Sequence, residues 1–254
     1  MFSGAYVQSY ISPICRCTRR DKGFWIEQLH GTGFLISSRG FFLTACHVLD
    51  AAFADAKENG GEVGIFPTQD IEGQPRSLNV LFQDYEPAPK PFDVAIFHAP
   101  SYSAKTLLRL QKRDVDIWQD VAATGYPGSI THKTPEMYQL QQRAHKGYVQ
   151  RCIPAGRLQP GNNPDSFELS FPITKGLSGS PLFIHQHEYE IVIGICVGSH
   201  ASSVVQYESL TLEEEDKRTY EKIARVEEFG IAHDLRPLLD WKPLCLSGIS
   251  LGEV

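Results

Sequence analysis

The sequence predicts an all-β fold on three observations. Short β-rich runs recur along the chain, among them GTGFLIS, GFFLTACHVL, GEVGIFP, SLNVLF, DVAIFHA, DVAATGY, GYVQRCI, SFELSFP and IVIGICVG. Gly, Pro, Asn or Asp bound these runs, as turns between strands require. They return at regular intervals through most of the 254 residues, the pattern of a β-sandwich or barrel.

The runs fall into two halves. Between Ser101 and Asp116 the chain reads SYSAKTLLRLQKRDVD, polar and non-alternating, and strand signals resume at Val121. Residues 1–110 are therefore expected to form one β lobe and residues 111–254 a second. No internal repeat or low-complexity tract interrupts them. One stretch breaks the β rhythm: TLEEEDKRTYEKIARVEE, Thr211–Glu228, reads as a helix. Thr211 and Glu214 make a capping box. Glu213–Lys217, Glu214–Arg218 and Glu221–Arg225 are i,i+4 pairs in the stabilising orientation. A second, short helix is expected near Asp234–Trp241, where LRPLLDW has a compact apolar face.

Composition excludes several functions. A hydrophobic content of 42% supports a buried core, and a net charge of −6 offers no basic surface for nucleic acid. Arg19 and Arg20, in CRCTRR, are too few to make a basic patch. No run approaches the ~18 apolar residues of a membrane span, so no membrane partner is expected. The start, MFSGAYVQSYISPICRC, lacks the basic region, apolar stretch and cleavage pattern of a secretory signal. The six cysteines are then read as reduced thiols in a cytoplasmic protein. Cys15-x-Cys17 and His185-x-His187 have no second pair at zinc spacing, so no metal site is expected.

Three segments carry chemistry. In GLSGSP, Gly176–Pro181, glycines flank Leu177 and Ser178 and permit a tight turn that exposes a serine hydroxyl. The N–H groups of such a turn converge where an oxyanion would form. In FFLTACHVLD an apolar strand delivers His47 at its end, followed by a stretch able to turn helical. In PFDVAIFHA, Asp93 opens an apolar strand. Singly, such a histidine is more often structural and such an aspartate a turn residue. Together they follow the order His, Asp, Ser, one of the orders that build a catalytic triad.

These segments resemble the trypsin-like peptidases, especially the bacterial HtrA-like type. TACH matches the family's TAAH-type histidine motif, DVAI its aspartate motif and GLSGSP its G-x-S-G-x-P serine motif. VAATGYPGS looks like its entry into the second barrel, GICVGS like its pocket strand, and FGIAHDLRPLLDW like its last strand and closing helix. The likeness runs from about Gly31 to Trp241. It implies two six-stranded antiparallel β-barrels forming one protease domain, the first carrying His47 and Asp93, the second Ser178. It further implies a serine endopeptidase of protein substrates, with an oxyanion hole at Gly176 and Ser178 and no cofactor. Substrate contacts are implied at Pro172, Thr174, Val197, Gly198, Ser199 and Gly230.

Departures refine the expectation. Leu177 stands where digestive relatives carry the aspartate that pairs with a new N-terminus, so that activation is not expected. The disulfide next to the histidine is absent, since Val48 follows His47. Pro172 replaces trypsin's acid, which disfavours Lys or Arg at the cleaved residue. Cys196 replaces the histidine by which viral 3C-like relatives read glutamine. A small or apolar residue there is the default, with His200 or the Thr211–Glu228 segment able to enter the pocket. The sequence leaves no room for the PDZ domain of HtrA proteins, so substrates are expected to be found through the chain's own cleft, through a regulatory or recruiting protein partner, or through both. The alternative is a catalytically silent protease-fold module that binds a partner. An α/β-hydrolase esterase is contradicted by the residue order and the missing alternate helices.

Overall fold

The computed structural model describes residues 7–21, 23–106, 108–134, 138–158, 162–186, 188–212 and 218–254. The apolar runs of the first half become one curled sheet. Strand β1 (Ile11–Arg20) buries Ile11, Ile14, Cys15 and Cys17 and lies antiparallel to β2 (Gly23–Ser37). The all-buried β3 (Phe41–Thr44) follows, then helix α1 (Cys46–Asn59). Strand β4 (Glu62–Ile65) returns to β1, and β5 (Thr68–Ile71) with β6 (Gln74–Ser77) forms a separate hairpin. Next come β7 (Val80–Leu81), β8 (Glu86–Pro87) and β9 (Ala95–His98). Among the described residues the sheet has seven strands rather than the six implied by the resemblance, in the order β7-β4-β1-β2-β3-β9-β8. The two-residue strands β7 and β8 form its edges, and no pairing among the described residues closes it.

The second half closes on itself. Its strands are β10 (Leu108–Leu110), β11 (Asp120–Gly125), the small ribbon β12 (His132–Lys133) and β13 (Tyr138–Gln139), β14 (Arg143–Ile153), β15 (Ser166–Leu169), β16 (Pro181–His185), β17 (Glu190–Leu212) and β18 (Arg218–Asp234). β17, β16, β11, β14, β15 and β18 pair in turn, and β18 pairs back onto β17, making a six-stranded ring. Closure leaves no unpaired edge within the ring. β10 joins β17 in parallel, so the chain has changed sheets before Leu108.

Each sheet has its own apolar cluster. Phe34, Phe42 and Phe97 are wholly or nearly wholly buried in the first, and Leu235, Leu238, Leu246 and Leu251 from the chain's end pack with them. Val121, Val149, Leu169, Leu177, Leu182 and Ile193 fill the ring. The six cysteines are unpaired; Cys15, Cys17, Cys46 and Cys196 are buried and Cys152 and Cys245 exposed. No helix among the described residues is long and apolar enough to cross a membrane. Among the described residues no group of three His, Cys, Asp or Glu side chains is placed to hold a metal ion; His187 lies outside them.

Two helix expectations are corrected. The described residues of Thr211–Glu228 are strand, not helix: Thr211 and Leu212 end β17, and Arg218–Glu228 belong to β18. Glu213, Glu214 and Lys217 lie outside the described residues. The i,i+4 ion pairs that favoured a helix are worth only a few tenths of a kcal/mol each. Against them stands a register that continues outward from the ring, from Ser199↔Gly230 to Leu212↔Arg218, with β-formers such as Val205 and Tyr207 facing Ala224 and Ile223. Over Asp234–Trp241 the helix is a single 3₁₀ turn, Arg236–Leu238, and two more 3₁₀ turns follow at Leu244–Leu246 and Leu251–Glu253. Pro237 donates no N–H, and the bonds there run three residues back, Leu239 N–H to Arg236 C=O and Trp241 N–H to Leu238 C=O.

Candidate active site

One strand pair places His47 beside Asp93. β3 and β9 run antiparallel until Thr44 faces Ala95. Beyond that point β3 turns through Ala45 into α1, whose second residue is His47, while Asp93 lies two residues before Ala95. The first N–H groups of a helix lack partners within it, and Ala45 supplies no side-chain cap. Asp93 fills that role: one carboxylate oxygen accepts the His47 backbone N–H at 2.9 Å. Its other oxygen is 2.5 Å from His47 Nδ1. A carboxylate only accepts, so the proton of this pair is assigned to Nδ1 and Nε2 keeps its lone pair. Burial raises the Asp93 pKa, but the His47 hydrogen bonds and charge outweigh it and hold the group below the usual carboxylate range.

A second histidine braces the aspartate from the other sheet. The Asp93 backbone N–H donates to His233 Nδ1, on β18, at 3.2 Å. His233 is buried, and desolvation holds its pKa down to about 4 against the pull of Asp93, with His47 adding to the lowering. A neutral ring whose Nδ1 accepts carries its proton on Nε2.

The serine turn is fixed by its own cluster and by the first sheet. Gly176 and Gly179 have φ of 96° and 85°, backbone that a side chain resists. A Cβ on Gly179 would also stand 2.1 Å from Thr32 O and from Thr44 Oγ1. Between them Leu177 is fully buried in the ring cluster, so an apolar anchor occupies the position where an ion pair is absent. Ser178 C=O accepts the Thr32 N–H at 2.9 Å. Thr32 Oγ1 donates to Gly176 C=O at 2.8 Å and accepts the Tyr126 N–H at 3.0 Å. Thr44 Oγ1 donates to Thr32 C=O at 2.7 Å.

Two donors remain in this turn. Leu177 N–H bonds to Thr174 C=O and Gly179 N–H to Cys196 C=O, whereas the Gly176 and Ser178 N–H groups bond to no described residue. The Ser178 hydroxyl donates to Val197 C=O at 3.4 Å. Its bond is therefore to the ring strand and not to His47.

The expected substrate-contact residues separate into two groups. Val197, Gly198 and Ser199 line a cavity along β17. Pro172, Thr174 and Gly230 do not. Gly230 N–H bonds to Phe171 C=O at 2.9 Å, and Ile173 Cγ1 would lie 2.8 Å from a Cβ added to Gly230. Sequence reasoning missed Thr32, Thr44 and His233. The signal for Thr32 was a polar residue between two glycines at the start of an apolar strand. For His233 it was an imidazole inside the apolar run FGIAHD.

A family model described as a trypsin-like peptidase domain matches residues 31–195. No curated protein matches at a significant level. Among solved structures, that of Deg5 superposes with a TM-score of 0.53 at 15% identity, covering 76% of this chain and 81% of that one. An AlgW variant, an HtrA-type protease with a decapeptide, superposes with a TM-score of 0.54 at 14% identity, covering 93% of this chain and 63% of that one. At such identities these structures share the fold.

Proposed function

This chain belongs to the trypsin-like peptidase family, and from that premise we propose that it is a serine endopeptidase acting through His47, Asp93 and Ser178. The carrying observation is the two-point hold of Asp93 on His47, at 2.9 and 2.5 Å. It fixes the tautomer whose Nε2 can accept a proton. Ser178 Oγ attacks the substrate carbonyl as His47 Nε2 takes its proton, and the imidazolium is stabilised by Asp93. The same proton passes to the departing amine, leaving an acyl-enzyme that water, deprotonated by His47, hydrolyses. The unengaged N–H groups of Gly176 and Ser178 supply the oxyanion donors, each worth roughly 3 kcal/mol of barrier. His233 acts through Asp93 as a positioning residue. Residues 1–110 and 111–254 serve as the two lobes of one protease domain, and no step needs a cofactor.

A small or apolar residue at the cleaved position is supported by Ile173. Ser199 Oγ accepts the Ile173 N–H at 2.6 Å and donates to its C=O at 3.1 Å, so no deep slot separates Pro172–Thr174 from β17. The protein is proposed to work in the cytoplasm with a regulatory or recruiting partner. The alternative, a catalytically silent partner-binding module, draws support from the Ser178 hydroxyl bonding to Val197 rather than His47. A cleavage profile on proteome-derived peptides separates the two. New termini should accumulate with wild type and vanish with Ser178→Ala. Identical profiles for both proteins would leave the binding module.

A further inference from the structure

A cavity of about 390 Å³ opens along β17, lined by Arg151, Arg157, Val197, Gly198, Ser199 and His200 among others. It adjoins the serine, because the carbonyl of Val197 accepts the Ser178 hydroxyl. Nothing lies within 4 Å of where a Gly198 Cβ would stand, so the strand is open here. On the Ile173 side the space is closed by the two hydrogen bonds between the Ser199 hydroxyl and that residue's backbone. A substrate extended along β17 has this cavity for a side chain.

The cavity's charge is unbalanced. Arg151 bonds to Glu168 at 2.6 Å, so those two charges offset each other. Glu168 Oε2 also lies 3.8 Å from His200 Nδ1, too far for a hydrogen bond, and that buried nitrogen has no hydrogen-bond partner among the described residues. The Arg157 backbone N–H bonds to Pro154 C=O at 3.2 Å, and its guanidinium has no ion pair or hydrogen bond among the described residues. Two arginines thus line the cavity and only Arg151 is offset by a carboxylate, that of Glu168 beside it, in a chain whose net charge is −6. An unpaired guanidinium presents a planar fork that fits a carboxylate through two parallel bonds. A basic side chain entering here would meet Arg157, and a neutral one would displace water from Arg157 and His200 without replacing it.

We propose that this cavity binds an acidic substrate side chain, Asp or Glu, at a position flanking the cleaved bond, with Arg157 as its recognition residue. The proposal rests on the endopeptidase reading but is testable by binding alone. Fluorescent peptide pools carrying Glu at each scanned position, and twin pools carrying Gln there, are titrated against the Ser178→Ala protein by anisotropy. At one position the Glu pool should bind about five-fold more tightly at low salt, the scale of one partly exposed ion pair. The gap should shrink as salt screens it. Arg157→Glu should abolish or invert the preference, and Arg157→Lys should retain part of it. Equal binding of Glu and Gln pools at every position, or an unchanged preference in Arg157→Glu, overturns the proposal. A retained Glu preference in a protein that cleaves nothing removes the protease reading and leaves the acid-binding site standing. Cleavage without any acidic preference does the reverse.

Discussion

The serine turn and the outer half of the β17–β18 hairpin grow from the same ring but are held differently. In the turn, Leu177 is fully buried, two glycines hold positive φ, and Thr32 bonds it to the first sheet twice, through its N–H and its Oγ1. In the outer hairpin, Val205, Tyr207, Ile223 and Val226 are 42%, 49%, 50% and 61% exposed. Backbone pairing alone continues a strand outward, whereas only burial and cross-sheet bonds fix a side chain for chemistry. Substitutions should therefore cost most where the two sheets meet and least along the hairpin.

The largest effect is expected at Asp93. Asp93→Asn keeps the shape but can favour the wrong His47 tautomer, and turnover should fall by about 10⁴, measured as kcat on a peptide substrate. A fall of less than ten-fold would remove Asp93 from the mechanism.

His233 should show in stability against pH. A base whose pKa folding depresses, here to about 4, binds fewer protons folded than unfolded between that value and about 6.5. Its contribution is complete above pH 6.5 and is lost as pH falls toward 4, on the order of 3 kcal/mol in total. His47 and Asp93 face the ring and Asp234 follows it in sequence. His233→Asn, whose Oδ1 can accept the Asp93 N–H without titrating, should flatten the loss between pH 6.5 and 4 in melting curves while keeping most activity. His233→Leu should lower kcat more than it raises KM. Identical acid profiles for wild type and Asn variant would contradict the assignment.

Thr32→Val removes the side-chain bonds to Gly176 and Tyr126 and should cost about 1–3 kcal/mol in denaturant unfolding. Activity should fall with it, since Gly176 belongs to the proposed oxyanion site. On the hairpin, Val226→Thr should change stability by less than ~0.5 kcal/mol. A loss there as large as at Thr32 would mean that the hairpin's exposed face is covered in solution.

The same contrast explains what the sequence made legible. TACH and DVAI bring His47 and Asp93 to adjoining strand ends, and the turn chemistry of GLSGSP is local, so each is visible in a few residues. The all-β class is equally local, written in alternation and turn residues. Thr32 and Gly176 are 144 positions apart and Asp93 and His233 are 140 apart, and no short window joins them. The hairpin differs for a closer reason: Glu221–Arg225 is an i,i+4 pair, while the partners that decide the outcome, Ser209 and Val204, lie 12 and 21 positions back on the preceding strand. Ile173 closing on Ser199 is likewise a contact between segments, which moved the open cavity to the Arg157 side.

The most direct test of the account is covalent labelling of the native protein with a fluorophosphonate probe, followed by peptide mass mapping. One adduct per chain is expected, on Ser178, formed much more slowly in His47→Ala and absent in Ser178→Ala. Labelling of another residue, or none on folded wild type, would contradict a working His47–Asp93–Ser178 site.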